Sequence, residues 1–184
     1  MLELLNIQGF KSFEYASLAI SPLTILTGLN SSGKSSILQA IRMLEKGTKN
    51  AGNCLLDGYG DWNELKCSHS QAVDIEAVLR NGHKISICPQ GITYKDCSTE
   101  MFPNIIYVSA NRFGPQKSIP VSYSIDLGCN GENIVKVIEY FSEESLPECL
   151  QHPETEGITF EYNLKAWLNI ISPGVMVRTE IKKN

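Results

Sequence analysis

The residues best suited to chemistry lie between positions 28 and 35. They read Gly-Leu-Asn-Ser-Ser-Gly-Lys-Ser and match the pattern G-x-x-x-x-G-K-[S/T]. The apolar run at 23–27 predicts a strand before this motif, and apolar residues at 37, 40, 41 and 44 predict a helix after it. Strand, glycine-rich loop and helix in this order are the context in which such a motif binds phosphate.

The residue types explain why phosphate is the expected ligand. Gly28 and Gly33 allow backbone torsions that a Cβ atom disfavours. The first N–H groups of the helix have no helical acceptor and point along the positive end of its dipole. We expect Lys34 to contact the β- and γ-phosphates of a nucleotide, the Ser35 hydroxyl to ligate Mg²⁺, and Ser36 to donate to the α-phosphate. The predicted nucleotide-binding residues of the loop are Asn30, Ser31, Ser32, Gly33, Lys34, Ser35 and Ser36.

Composition limits the class of protein. The chain has 184 residues, of which 42% are hydrophobic and 20% charged, which is typical of one soluble globular domain. Its 16 basic and 20 acidic residues give a net charge of −4, so a dominant nucleic-acid-binding surface is not indicated. Without a signal peptide or an apolar run approaching ~20 residues, we expect a cytoplasmic protein with no membrane partner. The six cysteines form no C-x-x-C pair and predict reduced thiols.

The first strands are expected at residues 2–7 and 16–20, joined by a turn at 9–13. This turn could lie beside the phosphate-binding loop, and Lys11 is therefore a further candidate for contacting phosphates or base. A solvated turn lysine is an equally good interpretation. After the loop's helix, Lys46-Gly47 is typical of a helix C-terminus, and residues 52–62 predict a mobile surface segment containing Trp62.

The alternating residues 73–88 predict a β-hairpin whose register can be argued. A two-residue Asn-Gly turn would place Ile85 and Ile87 on the face of Asp74. A three-residue loop at 80–82 opposes 79 with 83 and brings all the apolar residues to one face. We therefore predict the three-residue loop with Gly82 in a left-handed conformation.

Residues 105–108 form a compact apolar run that predicts a buried strand. Polar groups at the exit of such a strand tend to lie at the ligand crevice of an α/β sheet. Asn111, Arg112 and Gln116 are therefore candidates for contacting Mg²⁺, the attacking water or the γ-phosphate, although an ordinary loop explains them equally well. Helices are predicted at 130–141, with Asn130 as N-cap, and at 159–171, with an acidic loop at 143–156 and a strand from 175.

One expected element is missing. An enzyme that hydrolyses nucleotides with such a loop usually holds Mg²⁺ with a second acid that follows a buried apolar strand. No apolar run in this sequence is followed by such an acid, and residues 127–132 match a Leu-Ser-x-Gly-Glu signature only faintly. The sequence therefore predicts half of an ATPase, with ATP and Mg²⁺ as cofactors.

Residues 6–13 together with 23–36 resemble the N-terminus of ABC-type ATPases of the SMC, RecF and OLD branch. Residues 107–115 and 131–133 resemble the bacterial AAA-family ATPases of that branch, including those of anti-phage defence systems. The resemblance implies an α/β fold of the ABC/SMC-head type, in which a mixed sheet and a hairpin-containing layer form the N-terminal lobe. It places Lys11 near the nucleotide and residues 111–116, which include Asn111 and Gln116, in the Q-loop region.

The same resemblance implies what is absent and which partners to expect. Residues 1–184 would be a single nucleotide-binding lobe, truncated before the signature, the acidic strand and a switch histidine. Its partners would be the missing C-terminal lobe or a second head, with a nucleic acid or an effector protein in the intact assembly. Whether ATP is hydrolysed depends on that completion. The alternatives are an interaction module with a vestigial loop and, last, a small P-loop kinase, for which Arg42, Arg80, Arg112 and Arg178 form no cluster.

Overall fold

A computed structural model describes residues 1–50, 53–95, 102–110 and 123–177. The chain divides into two compact units, residues 1–105 and residues 106–184, which are described separately. Among the described residues, no helix is both long and apolar enough to cross a bilayer.

The first unit is built on a five-stranded sheet of order β2-β1-β3-β4-β5, in which all neighbouring strands are antiparallel. Antiparallel sheets commonly bury one face only, and here alternate residues such as Leu5, Ile7 and Ile75 are fully buried. The strands, in order from β1 to β5, are Leu2–Phe10, Phe13–Ala19, Asp74–Leu79, Lys84–Cys88 and Gly91–Lys95.

The predicted hairpin register is confirmed. Ile75 pairs with Ile87 and Ala77 with Ile85, a register that places Leu79 opposite His83. The Leu79 N–H donates to the His83 carbonyl at 2.8 Å, and Gly82 has a φ of 83°. The loop is therefore the three-residue one, and the alternating residues Ile75, Ala77, Leu79, Ile85 and Ile87 lie on the buried face.

Helix α1, Lys34–Lys49, packs against that face. Ile37, Ala40 and Leu44 are buried as the spacing predicts. The predicted end of the helix at Gly47 is wrong, because Gly47 lies inside α1 and is buried. A Cβ atom there would lie 3.1 Å from Cys54 Cβ and 3.4 Å from Ile87 Cγ2, so this glycine allows the helix to approach the sheet closely.

The segment after α1 is more structured than predicted. It contains a short helix α2, Trp62–Leu65, which begins with a capping box between Asp61 and Glu64. Leu65 and Cys67 are buried, and Cys67 N–H donates to the Gly9 carbonyl at 2.8 Å. This part of the chain therefore packs along the end of β1.

Two predicted strands, at 23–27 and 105–108, are not formed, and the described start of a third, residues 175–177, has no strand structure. Residues 23–27, 105–108 and 175–177 have no strand hydrogen bonding, and Leu23, Ile25 and Ile106 are 79%, 74% and 77% exposed. A strand needs a neighbour for its N–H and C=O groups. Among the described residues, none supplies that neighbour to these three runs.

The second unit contains helices α3, Ile134–Phe141, and α4, Phe160–Ile171, as the sequence predicts. The N-cap of α3 is Asn133 rather than Asn130. The acidic loop holds a 3₁₀ turn at Glu148–Leu150. Asn163 of α4 is fully buried and receives a hydrogen bond from His152 N–H at 2.7 Å, so it fixes this loop against α4.

Candidate functional site

The glycine-rich loop leads directly into α1 and has an unusual backbone. Gly28, Ser31 and Gly33 have φ values of 143°, 65° and 92°. Successive N–H groups converge when residues of left-handed and right-handed conformation alternate, and the resulting concave backbone binds anions. Gly33 is the residue immediately before α1, so this concave backbone lies at the helix N-terminus.

Lys34 crosses back over the loop. Its Nζ donates to the carbonyls of Gly28 at 2.8 Å and Leu29 at 2.5 Å, with a longer contact of 3.4 Å to Ser32 Oγ. An ammonium group has three donors, so two strong bonds fix its position. The third, weakly engaged donor can be exchanged for a phosphate oxygen. Lys34 is therefore held as a point charge over the concave backbone.

Two N–H groups of the loop region are already engaged. Ser32 N–H donates to Leu29 O at 3.3 Å, and Ser36 N–H donates to Gly33 O at 2.9 Å. Among the described residues, the N–H groups of Lys34 and Ser35 donate to no backbone carbonyl. Ser32 and Ser36 would therefore have to give up these bonds to donate to a phosphate, whereas the described residues offer no such competing acceptor to the N–H groups of Lys34 and Ser35.

A cavity of about 200 Å³ opens on these groups. It is lined by Ser12, Asn30, Ser31, Gly33, Lys34, Ser35 and Ser36. Six predicted binding residues thus surround one space, and the side chain of one of them, Ser35, is exposed. Among these lining residues Lys34 is the only charged one, so the electrostatic field in the cavity favours an anion.

Ser32 and Lys11 belong to the predicted set and do not line the cavity. Ser32 instead contacts Lys34 and would lie 2.9 Å from a Cβ atom at Gly28, so its role is in loop structure. Lys11 lies in the β1–β2 turn with a φ of 51°, and its Nζ is 5.4 Å from the centre of the Tyr59 ring. Its neighbour Ser12 lines the cavity in its place.

Ser12 was missed because sequence reasoning chose the charged residue of the turn. The turn does reach the loop as predicted: a Cβ atom at Gly33 would lie 2.4 Å from Phe13 Cζ and 3.0 Å from Ser12 Oγ. The missing side chain of Gly33 therefore lets the β1–β2 turn pack on the loop. The signal for Ser12 was its place in that turn.

The remaining predicted residues, Asn111, Arg112 and Gln116, lie outside the described residues. In the described part of the chain, no three His, Cys, Asp or Glu side chains come close enough to hold a metal ion. The described lining therefore offers one cation, hydroxyl groups and an amide side chain, and it contains no carboxylate.

A concave backbone at a helix N-terminus with a lysine fixed above it is the arrangement typical of P-loop nucleotide-binding proteins. The family model described as "AAA ATPase domain" matches residues 1–97, which is more than half of the chain. This chain therefore belongs to the AAA ATPase domain family, which confirms the predicted α/β fold with a P-loop and the predicted AAA-type ATPase class.

No curated protein matches the chain. A solved structure described as "Structural biochemistry of ATP-driven dimerization and DNA stimulated activation of SMC ATPases" is similar at 21% identity with a TM-score of 0.39. The match covers 51% of this chain and 68% of that one.

Proposed function

We propose that residues 1–184 bind Mg-ATP through the P-loop, as the N-terminal lobe of an SMC/RecF/OLD-type ATPase. The observation that carries the proposal is the arrangement around Lys34. Two loop carbonyls fix its ammonium group over a cavity into which Ser35 also projects. The ammonium group of Lys34 and the hydroxyl of Ser35 thus border one cavity that can hold an anion. Among the described residues, the N–H groups of Lys34 and Ser35 have no backbone acceptor.

Each group has a distinct role in this proposal. Lys34 neutralises the β- and γ-phosphates, and the N–H groups of Lys34 and Ser35 donate to phosphate oxygens. The Ser35 hydroxyl ligates Mg²⁺, which when bound offsets the charge of the phosphates. Asn30, Ser31 and Ser36 complete the wall of the site. Lys11 would contribute its charge from the neighbouring turn.

Hydrolysis, in this proposal, requires groups from elsewhere. The described lining of the cavity contains no carboxylate to act as second Mg²⁺ ligand or general base. We propose that a second lobe supplies the acid, and that Asn111 and Gln116 position the water or γ-phosphate. The exposed apolar side chains of Leu23 and Ile25 support a missing neighbour, since a strand of that lobe would cover them.

In the intact assembly, ATP binding would drive the association of two heads or engage an attached effector. A nucleic acid or a phage-defence effector is the partner that this class suggests, and the cytoplasm is the compartment in which such partners occur. If wild-type protein binds a partner through the Leu23–Ile25 surface and never binds ATP, the chain is instead an interaction module with a vestigial P-loop.

Calorimetric titration of Mg-ATP into the wild-type chain and into Lys34→Ala tests the proposal. Charge-assisted hydrogen bonds contribute about 1.5–3 kcal/mol, so the variant should bind roughly ten- to hundredfold more weakly. Lys165→Ala is the matched control, because Lys165 contacts Glu161 and the Tyr162 ring on α4, away from the cavity lining. Equal affinity in the wild type and Lys34→Ala would contradict the proposal.

A further inference from the structure

Packing in the core does not explain the position of the Tyr59 side chain. Its side chain is 41% exposed, and Gly58 and Gly60 on either side have φ values of 79° and 90°. A large aromatic residue between two glycines, at a position that leaves it half in water, gains little from burial. Its environment is therefore better explained by its polar neighbours.

The loop that carries Tyr59 is fixed at both ends. Lys46 of α1 donates to the Leu55 carbonyl at 2.7 Å and pairs with Asp57 at 3.4 Å. On the other side, Asp61 accepts from two N–H groups of α2 at 2.8 and 3.0 Å, and Glu64 accepts from Asp61 N–H at 2.9 Å. The ring is thus presented from a rigid support.

Two cationic side chains approach this ring. Lys11 Nζ lies 5.4 Å from the ring centre, and Arg42 Cζ lies 5.9 Å from it. Arg42 also donates to the phenolic oxygen at 3.5 Å. Both distances are within the range of cation–π attraction. The two positive charges lie near the same ring and repel each other. An anion bound beside them would reduce this repulsion.

Lys11 connects this cluster to the phosphate cavity. Its backbone N–H donates to Leu65 O at 2.7 Å, which fixes the turn, and the next residue, Ser12, lines the cavity. The remaining freedom of Lys11 is in its long side chain. Ordering such a side chain costs conformational entropy, so a group that orders it before the ligand arrives favours binding.

We propose that Tyr59 is a positioning residue, which orders the side chain of Lys11, the neighbour of the cavity-lining Ser12, for contact with the phosphates of the nucleotide. The ring face attracts Lys11, and the Arg42 guanidinium fixes the phenol end of the same ring. Tyr59 acts through Lys11 and needs no contact with the nucleotide. This inference rests on the proposed function and adds to it a residue outside the P-loop motif.

The first test is a double-mutant cycle on Mg-ATP affinity with Tyr59→Leu and Lys11→Met. Exposed cation–π contacts are worth about 0.5–1 kcal/mol, so Tyr59→Leu should weaken binding about two- to fivefold. Tyr59→Phe should keep most of the wild-type affinity, because it retains the ring face and loses only the 3.5 Å hydrogen bond from Arg42. The double variant should bind no more weakly than Lys11→Met alone. Tyr15→Leu, which changes a tyrosine that is 69% exposed on β2, is the matched control.

The second test measures position directly and needs no nucleotide. The ring current of Tyr59 should shift the Lys11 ε-methylene protons upfield, and this shift should persist in Tyr59→Phe and disappear in Tyr59→Leu. The inference would be overturned if the affinity losses of the two single variants multiplied in the double variant. It would also be overturned if the Lys11 ε-methylene protons of the wild type showed no upfield shift. If Lys11 is shifted but wild-type protein does not bind ATP, the proposed function fails and the contact between the two residues stands. If Tyr59→Leu does not fold, Tyr59→Gln takes its place in both tests.

Discussion

The β3–β4 hairpin and the segment 23–27 carry similar apolar strand patterns and have opposite outcomes. In the hairpin, Ile75 and Ile85 are fully buried and paired across the sheet. In the segment before the P-loop, Leu23 and Ile25 are more than 70% exposed and no strand forms. The difference lies in the partner. A hairpin brings its own neighbouring strand, whereas a strand with distant partners depends on chain far away in sequence.

The largest expected effect is on the free energy of unfolding, which should fall for a substitution in the hairpin and stay nearly unchanged for one in segment 23–27. Ile75→Ala removes a fully buried side chain and should lower the free energy of unfolding by about 2–5 kcal/mol. Ile25→Ala, at a side chain that is 74% exposed, should change it by less than about 0.5 kcal/mol. Urea unfolding measures both variants. A comparable loss in Ile25→Ala would mean that the segment is packed in solution.

The hairpin and the P-loop each have a glycine with positive φ. Comparing the two separates the cost of a strained backbone torsion from the cost of a steric clash with a new Cβ atom. Gly33→Ala and Gly82→Ala both introduce strain of about 1–3 kcal/mol, at φ values of 92° and 83°. Only at Gly33 does the new Cβ atom meet another group, Phe13 Cζ at 2.4 Å, whereas at Gly82 nothing lies within 4 Å. Gly33→Ala should therefore cost more stability in urea unfolding and should also weaken ATP binding. If the two variants behave alike in both measurements, the β1–β2 turn does not pack on the P-loop.

Ser12 is expected to have a smaller effect, confined to the nucleotide. Its hydroxyl is part of the cavity lining, so Ser12→Ala should cost about 0.5–1.5 kcal/mol of Mg-ATP binding free energy, or roughly two- to tenfold in affinity. The exposed Ser68 provides the control substitution Ser68→Ala. Calorimetry that finds Ser12→Ala indistinguishable from Ser68→Ala would remove Ser12 from the site.

The smallest effect concerns Asp74, on the outer face of the hairpin. Burial raises the pKa of this carboxyl above its ordinary value of 3.8, and the nearby Glu76 raises it further. The native state therefore binds the proton more tightly than the unfolded chain, and stability falls as pH rises from 3.8 through the native pKa. Asp74→Asn should raise the melting temperature slightly at pH 7, with no difference below pH 3.8. A destabilised variant at pH 7 would contradict this sign.

Sequence reasoning succeeded where the decisive contacts are local. The register of the hairpin followed from the requirement that Ile85 and Ile87 share a face with Ile75, and the P-loop followed from residues adjacent in the chain. It failed where distant groups decide. Gly47 was predicted to end α1, yet it lies inside the helix because Ile87 packs against it. Residues 23–27 lack strand structure because hydrogen-bonded neighbours, rather than the apolar pattern alone, make a strand.

In the candidate site, too, residues close together in sequence were predicted, and residues brought there by tertiary packing were missed. Six of the seven predicted loop residues line one cavity, since their positions follow from a single loop and the first turn of α1. Ser12 comes from a separate turn, and its contribution depends on how that turn packs on Gly33. Tyr59 lies in a loop that the sequence shows only as a glycine-rich segment. Its relation to Lys11 arises from tertiary packing, which no local pattern contains.

The most direct test of the central claim is a Mg-ATP titration followed by amide chemical shifts of the full chain. If the loop binds the phosphates, the N–H resonances of Gly33, Lys34 and Ser35 should move downfield and saturate together. The N–H of Ile85 in the hairpin should not move. Saturable shifts that leave residues 33–35 unchanged would contradict the account.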